Sequence, residues 1–204
     1  MTRAATVVSY VLHPLWMPLF TLSLVYWIDP FLGLHPPVFR FLLFILVVNT
    51  VAPGLSVLFM VRRGVITDLE IRRKRERFIP FLLFLFYYGL SYALIRLRVE
   101  YVPTDVLVVF FALIVSLVVG MLFTLRTKIS MHLMAIGGLC GSLAAFNEMH
   151  LLGRDYIIAL VLIGAGLLGW ARIRMGVHSH RQVYLGFLVG FLVHYGFLTF
   201  RLYL

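Results

Sequence analysis

The chain has few acids and little charge of any kind. Among its 204 residues stand 8 Asp and Glu against 18 Lys and Arg, and charged residues amount to only 13%. A soluble domain of this length carries about twice that fraction, so the composition argues against a soluble protein. The single cysteine, Cys140, lies within an apolar stretch. One cysteine can form no intrachain disulfide and no cysteine-built zinc or iron–sulfur centre, and no metal or other cofactor is expected. No long polar linker, internal repeat or low-complexity segment interrupts the chain, so residues 1–204 are read as one domain. The first apolar run is preceded only by Arg3 and lacks a small-residue cleavage pattern, which reads as a retained helix rather than a signal peptide.

What fills the chain is apolar: 62% of residues are hydrophobic and the mean hydropathy is +1.02. Seven runs stand out, Val8–Ile28, Phe41–Met60, Phe78–Ile95, Val106–Leu125, Met131–Ala145, Ile157–Trp170 and Val183–Phe200. The expected fold class is all-α, a polytopic transmembrane bundle of six to seven spans. The fifth and sixth runs are short for a hydrocarbon core of about 30 Å. The fifth is rich in small residues (Gly137, Gly138, Gly141, Ser142), which let helices approach closely and place that run at the centre of the bundle. His13-Pro14 and Trp16-Met17-Pro18 interrupt helical regularity and predict a kink near the start. Asp29–Arg40, with three prolines, reads as a loop.

Three charged stretches, Arg62–Pro80, Arg126–His132 and Ala171–Gln182, are each separated from the next by two spans, so all three face one side. That side holds 13 of the 18 basic residues. The positive-inside rule then predicts an integral protein of the inner (plasma) membrane with this face cytoplasmic. Because the net charge of +10 lies at the ends of spans, membrane phospholipids are the expected partners and nucleic acid is not.

Each stretch carries anion-binding chemistry. In the first, charges spaced three to five apart predict an interfacial helix over Asp68–Arg77 with pairs such as Glu70–Lys74. Arg77, at the mouth of the third span, and Arg72 are positioned to hold a phosphate oxygen, with Asp68 as a buttress. In the second, a helix starting at Lys128 would set Lys128 and His132 one turn apart, with Ser130 and free N–H groups beside them. In the third, Arg172, Arg174 and His178 flank the turn Met175-Gly176, and Gln182 stands one helical turn beyond His178. A neutral imidazole is a nucleophile, and arginines steady the oxygens of a transferring phosphoryl group. Gln182 at i+4 can orient the ring through its other nitrogen. His13 is the residue the N-terminal segment would bring to such a site.

These stretches resemble the type 2 phosphatidic-acid phosphatase superfamily, which includes acid phosphatases and vanadium haloperoxidases. The family's third motif, Ser-Arg, five residues, His, three residues, Asp, is matched by Ala171-Arg172, His178 and Gln182. Its Pro-Ser-Gly-His motif is matched by Ile129-Ser130-Met131-His132. Its Lys…Arg-Pro segment is matched by Arg72–Pro80, with Arg77 as the arginine and Glu70 where the lysine would stand. The likeness covers residues 62–204 and implies a divergent membrane member with the phosphatase core.

The resemblance implies a lipid phosphatase that hydrolyses a phosphomonoester or diphosphate lipid, phosphatidate-like or polyprenyl diphosphate, through a phosphohistidine on His178. Arg77, Ser130, Arg172 and Lys128 would hold the phosphoryl oxygens and His132 would protonate the leaving alcohol. Gln182 lacks the charge an aspartate offers an imidazolium, worth several powers of ten in serine-type triads. Two other readings stand beside it: a weakened member that binds, senses or scaffolds phospholipid, and an unrelated transporter. No span has an ionisable group at its centre except for His194, which argues against transport. A homodimer is the one assembly considered.

Overall fold

The computed structural model describes residues 3–28, 38–71, 73–98 and 102–200. Helices α1 (Arg3–Val11), α2 (Met17–Ile28), α3 (Val38–Ile45), α4 (Ala52–Arg62), α5 (Phe78–Arg98), α6 (Thr104–Arg126), α7 (Met131–Met149), α8 (Asp155–Arg174) and α9 (His180–Phe200) build it, and no strand occurs among the described residues. The loop reading of Asp29–Arg40 falls largely outside the described residues, as does Arg72. Six stretches are helical, long and apolar enough to cross a membrane: Arg3–Ile28, Phe39–Arg62, Arg75–Leu97, Thr104–Arg126, Asp155–Arg174 and His180–Phe200. Apolar side chains such as Phe86, Leu160, Ile163, Leu188 and Leu192 face outward, as an integral membrane protein requires.

Of the seven apolar runs, six thus qualify as membrane-spanning, at the lower end of the expected six to seven. The remaining long helix, α7, is the most enclosed of all, with thirteen of its nineteen residues buried. It packs against α2, α6, α8 and α9. Surrounded by protein rather than lipid, it has no need to be apolar throughout, and it carries His132, Ser142, Asn147 and Glu148. The fifth and sixth runs are also longer than their apolar portions: α7 extends to Met149 and α8 starts at Asp155 and ends at Arg174. Polar residues continue both helices beyond the apolar signal.

α7 and α9 run parallel, backbone against backbone. A Cβ at Gly190 would overlap the Met134 carbonyl oxygen, and one at Gly186 would lie 2.6 Å from that of Ser130. Gly137 and Gly141 meet the Phe187 and Phe191 carbonyls in the same way. Small residues let the helices close to this distance. The Ser130 N–H donates to the Gln182 carbonyl at 3.2 Å, tying the start of α7 to the first turn of α9. Deeper in, His194 sits over Gly138 and meets Ser142 Oγ at 2.9 Å.

The expected kink lies between α1 and α2. Pro14 has no N–H to continue a helix, so the chain makes one 3₁₀ turn over Pro14–Trp16 capped by His13, whose Nδ1 accepts from the Leu15 N–H at 3.3 Å. A second irregularity, the π turn Leu46–Val51, precedes Pro53. Thr50 there donates to the Leu15 carbonyl at 2.8 Å and fixes the bend of the first stretch against the second.

Candidate functional site

The three charged stretches meet at one end of the bundle, and three side chains link them in a ring. Arg77 Nη1 donates to the Ile129 carbonyl at 2.9 Å. Lys128 Nζ donates to the Val177 carbonyl at 3.1 Å. Arg172 Nη2 meets Glu70 Oε2 at 2.5 Å. The first stretch thus touches the second, the second the third, and the third the first. At the opposite end, His150 approaches Asp105 at 3.6 Å.

Within this ring opens a cavity of about 540 Å³. Arg77, Arg172, His132, His178, His13 and Glu70 line it together with apolar residues including Leu55, Phe81, Phe84, Leu113 and Leu117. It extends along α5 from Pro80 to Tyr88, a rise of ~12 Å at 1.5 Å per residue. A charged mouth thus continues into an apolar chamber.

Arg172 is the largest fully buried side chain, 1% exposed. Its Nη2 is engaged by Glu70, while Nε and Nη1 have no partner. The buried donors of a cation need an acceptor from the protein, from water or from a ligand. His132 Nε2 is buried and unpartnered too. On its other side the ring faces the Ser9 backbone of α1. The His13 ring stands edge-on to it, with centroids 5.0 Å apart.

His178 is presented by a tight reversal. Gly176, at φ +67°, ends α8 in the left-handed conformation that glycine adopts without strain. The chain then places buried Val177 and His178 just ahead of α9. Gln182 Oε1 accepts from the Ser179 backbone N–H at 3.2 Å and lies 3.1 Å from His178 Nδ1. A backbone N–H can only donate, which identifies the amide atom as the oxygen. His178 Nδ1 must then carry the proton, leaving the Nε2 lone pair free. Burial first, and then the Arg77 and Arg172 guanidiniums, push the imidazole from 6.5 down to about 3.

That depression has a sign. An unfolded His178 takes up a proton as pH falls below 6.5, whereas the folded one does so only near 3. The folded state therefore loses stability as pH drops through that window. Thermal unfolding in detergent should show a shallower acid slope for His178→Asn than for the native chain. Equal slopes would mean that the ring is not held neutral.

The structure corrects several expectations. Asp68–Arg77 is not a helix: Ile71 sits at φ +47°, and only Lys74–Arg77 makes a 3₁₀ turn. Glu70 turns inward to Arg172, while Glu76 pairs with Arg73 at 3.3 Å. Asp68 Oδ1 has no hydrogen-bond partner among the described residues, and its backbone carbonyl accepts from the Ile71 N–H. α7 begins at Met131, so Lys128 lies in a non-helical segment and reaches toward Val177 instead of sharing a helix face with His132. Ser130 is fully buried at that helix start, its Oγ unpartnered, and it is not among the residues lining the cavity. Arg174 is exposed, away from the site.

Glu70 is the site residue that sequence reasoning missed. Its signal was present: a carboxylate stands where the resembled motif has a lysine. Compared with known proteins, the chain matches no family model, no curated protein and no solved structure.

Proposed function

We propose that the cavity binds and hydrolyses a lipid phosphate, a phosphomonoester or diphosphate of the phosphatidate-like or polyprenyl class. The observation that carries the reading is Arg172, a buried guanidinium whose Nε and Nη1 have no hydrogen-bond partner among the described residues. A phosphate oxygen supplies what those donors lack, since a planar guanidinium matches its geometry. The N termini of α7 and α9 lie at the same end and add their dipoles. The apolar chamber below suits the tail.

His178 Nε2 attacks phosphorus, forming the N–P bond as the P–O bond to the lipid breaks. His132 Nε2 delivers a proton to the departing oxygen, its imidazolium favoured by the bound dianion. Water then attacks the phosphohistidine, the same His132 takes its proton, the N–P bond breaks, and inorganic phosphate leaves. Arg172 and Arg77 hold the oxygens through both steps, the charge stabilisation that such transfers rely on most. The test is phosphate release by the purified chain in mixed micelles from a panel of lipid mono- and diphosphates. No release and no binding across the panel would end the proposal.

Gln182 favours a second reading, binding without turnover. Its oxygen fixes the His178 tautomer but offers no charge to an imidazolium or to the phosphohistidine leaving group. Gln182→Asp should raise turnover about tenfold or more with little change in KM, if missing charge is what limits the reaction. An unchanged rate would place the limit elsewhere.

A further inference from the structure

The chamber below the charged mouth is not apolar throughout. Ser116 on α6 and His194 on α9 both line it, 5% and 2% exposed, and these two helices pack against each other. Their depth follows from the helix register. A Cβ at Gly120 would lie 2.8 Å from Met134 Cε, and α6 ends at the charged end where α7 begins, so the two run antiparallel. One turn deeper along α6, Ser116 is therefore level with Gly138, where the His194 ring lies. Gly138 stands six residues beyond His132 on α7, ~9 Å farther from the mouth.

Both groups have hydrogen-bonding capacity to spare. Helical hydroxyls commonly turn back to the carbonyl four residues earlier, as Thr21, Ser56 and Thr124 do at 2.8, 2.9 and 2.8 Å. Ser116 does not, and its Oγ has no partner among the described residues. His194 commits Nδ1 to Ser142 Oγ at 2.9 Å. That leaves Nε2, the nitrogen that lies over Gly138, for another group. A histidine in the middle of a span is a costly placement, and in membrane proteins such residues mark functional contacts. Around the pair the wall is apolar, built from Leu113, Leu117, Met134 and Ala135.

We propose that Ser116 and His194 form a second binding subsite, which takes a hydroxyl carried on the ligand's chain ~9 Å from its phosphorus. This rests on the reading of the cavity as a lipid phosphate site. A hydroxyl both donates and accepts, so it answers the serine hydroxyl and the imidazole nitrogen together, whichever tautomer the ring adopts. A plain hydrocarbon chain answers neither. The charged mouth then selects the headgroup, and this pair selects the chain.

The test uses the full chain in detergent micelles, with dodecylphosphonate and its 3-hydroxy and 7-hydroxy derivatives as non-hydrolysable ligands. In an extended chain the 7-hydroxyl reaches the depth of the pair, whereas the 3-hydroxyl stays near the mouth. Calorimetric titration of the native chain should show the 7-hydroxy ligand bound about fivefold more tightly than the 3-hydroxy one, the size of a net hydrogen bond. Ser116→Ala should shrink that preference to about twofold or less while dodecylphosphonate binds as before. This variant removes a hydroxyl that has no partner, so its unfolding midpoint should not fall. His194→Phe, which keeps a ring and loses Nε2, should shrink the preference likewise. A native chain that binds the 7-hydroxy ligand no more tightly than the 3-hydroxy one overturns the proposal, as does a preference that survives in either variant. If His194→Phe does not fold, Ser116→Ala decides alone. If none of the three ligands binds the native chain, the phosphate-site reading falls, and this proposal with it.

Discussion

His178→Ala should reduce phosphate release by about 10⁴-fold or more, the loss that removal of a covalent nucleophile produces elsewhere. The structure gives the reason at the level of one lone pair. Gln182 holds the proton on Nδ1, so that Nε2 is the free nitrogen, and burial beside two guanidiniums keeps the ring neutral at ordinary pH. Removing the ring takes away the attacking atom while Arg172 and Arg77 remain. Ligand affinity should therefore hold within a factor of about three, and the loss should appear in kcat. Quenched-flow labelling with a ³²P-lipid should trap an acid-labile, base-stable phosphoenzyme in the native chain and none in the variant. Release at the native rate from His178→Ala, or a label that persists in it, would show that another group makes the bond to phosphorus.

The largest structural effect should come from Gly190→Leu. Its Cβ would overlap the Met134 carbonyl oxygen and approach Gly138 N to 2.8 Å, and both are backbone atoms of the central helix that cannot step aside. α9 would have to move off α7, breaking the Ser130–Gln182 tie at the helix starts and spreading the cavity's two helix N termini. Overpacking a core by side chains alone costs 1–3 kcal/mol, and here the obstacle is backbone, so about 3 kcal/mol or more is expected. In detergent that corresponds to a fall in unfolding midpoint of roughly 6–12 °C for a chain of this size, or to failure to purify as a single species. Gly166→Leu is the control: nothing lies within 4 Å of a Cβ at Gly166, so the midpoint should stay put. Equal midpoints for Gly190→Leu and the native chain would mean that the close seam is not what holds the bundle together.

Hydrophobic run length and small-residue content are local properties, and they carried much of the fold. The seam was legible because Gly137, Gly138 and Gly141 crowd one apolar run. The kink was legible because a proline at position 14 has no N–H to give. The shared side of the three charged stretches followed from parity, since each pair is separated by two helices that traverse the bundle. Apolarity misled only for α7, where burial in protein removes the need for a lipid-facing surface. It also clipped α7 and α8, whose polar ends continue the backbone ladder without adding to the hydrophobic signal.

Within the site, the i to i+4 spacing of His178 and Gln182 determined their hydrogen bond, because neighbours at that spacing share a helix-like turn. The sequence by itself therefore determined which residues could meet and at which end. Only the tertiary structure decided their partners. Glu70 had local cations within a few residues, yet it pairs with Arg172, one hundred and two positions away. A buried guanidinium with unfilled donors attracts a carboxylate more strongly than a solvated surface lysine or arginine does, as screening weakens the exposed pairs. Lys128 left the expected helix face for the Val177 carbonyl because α7 starts three residues later than its charge suggested. Such choices depend on which groups are dry, and burial is a property of the packed bundle rather than of any stretch of the chain.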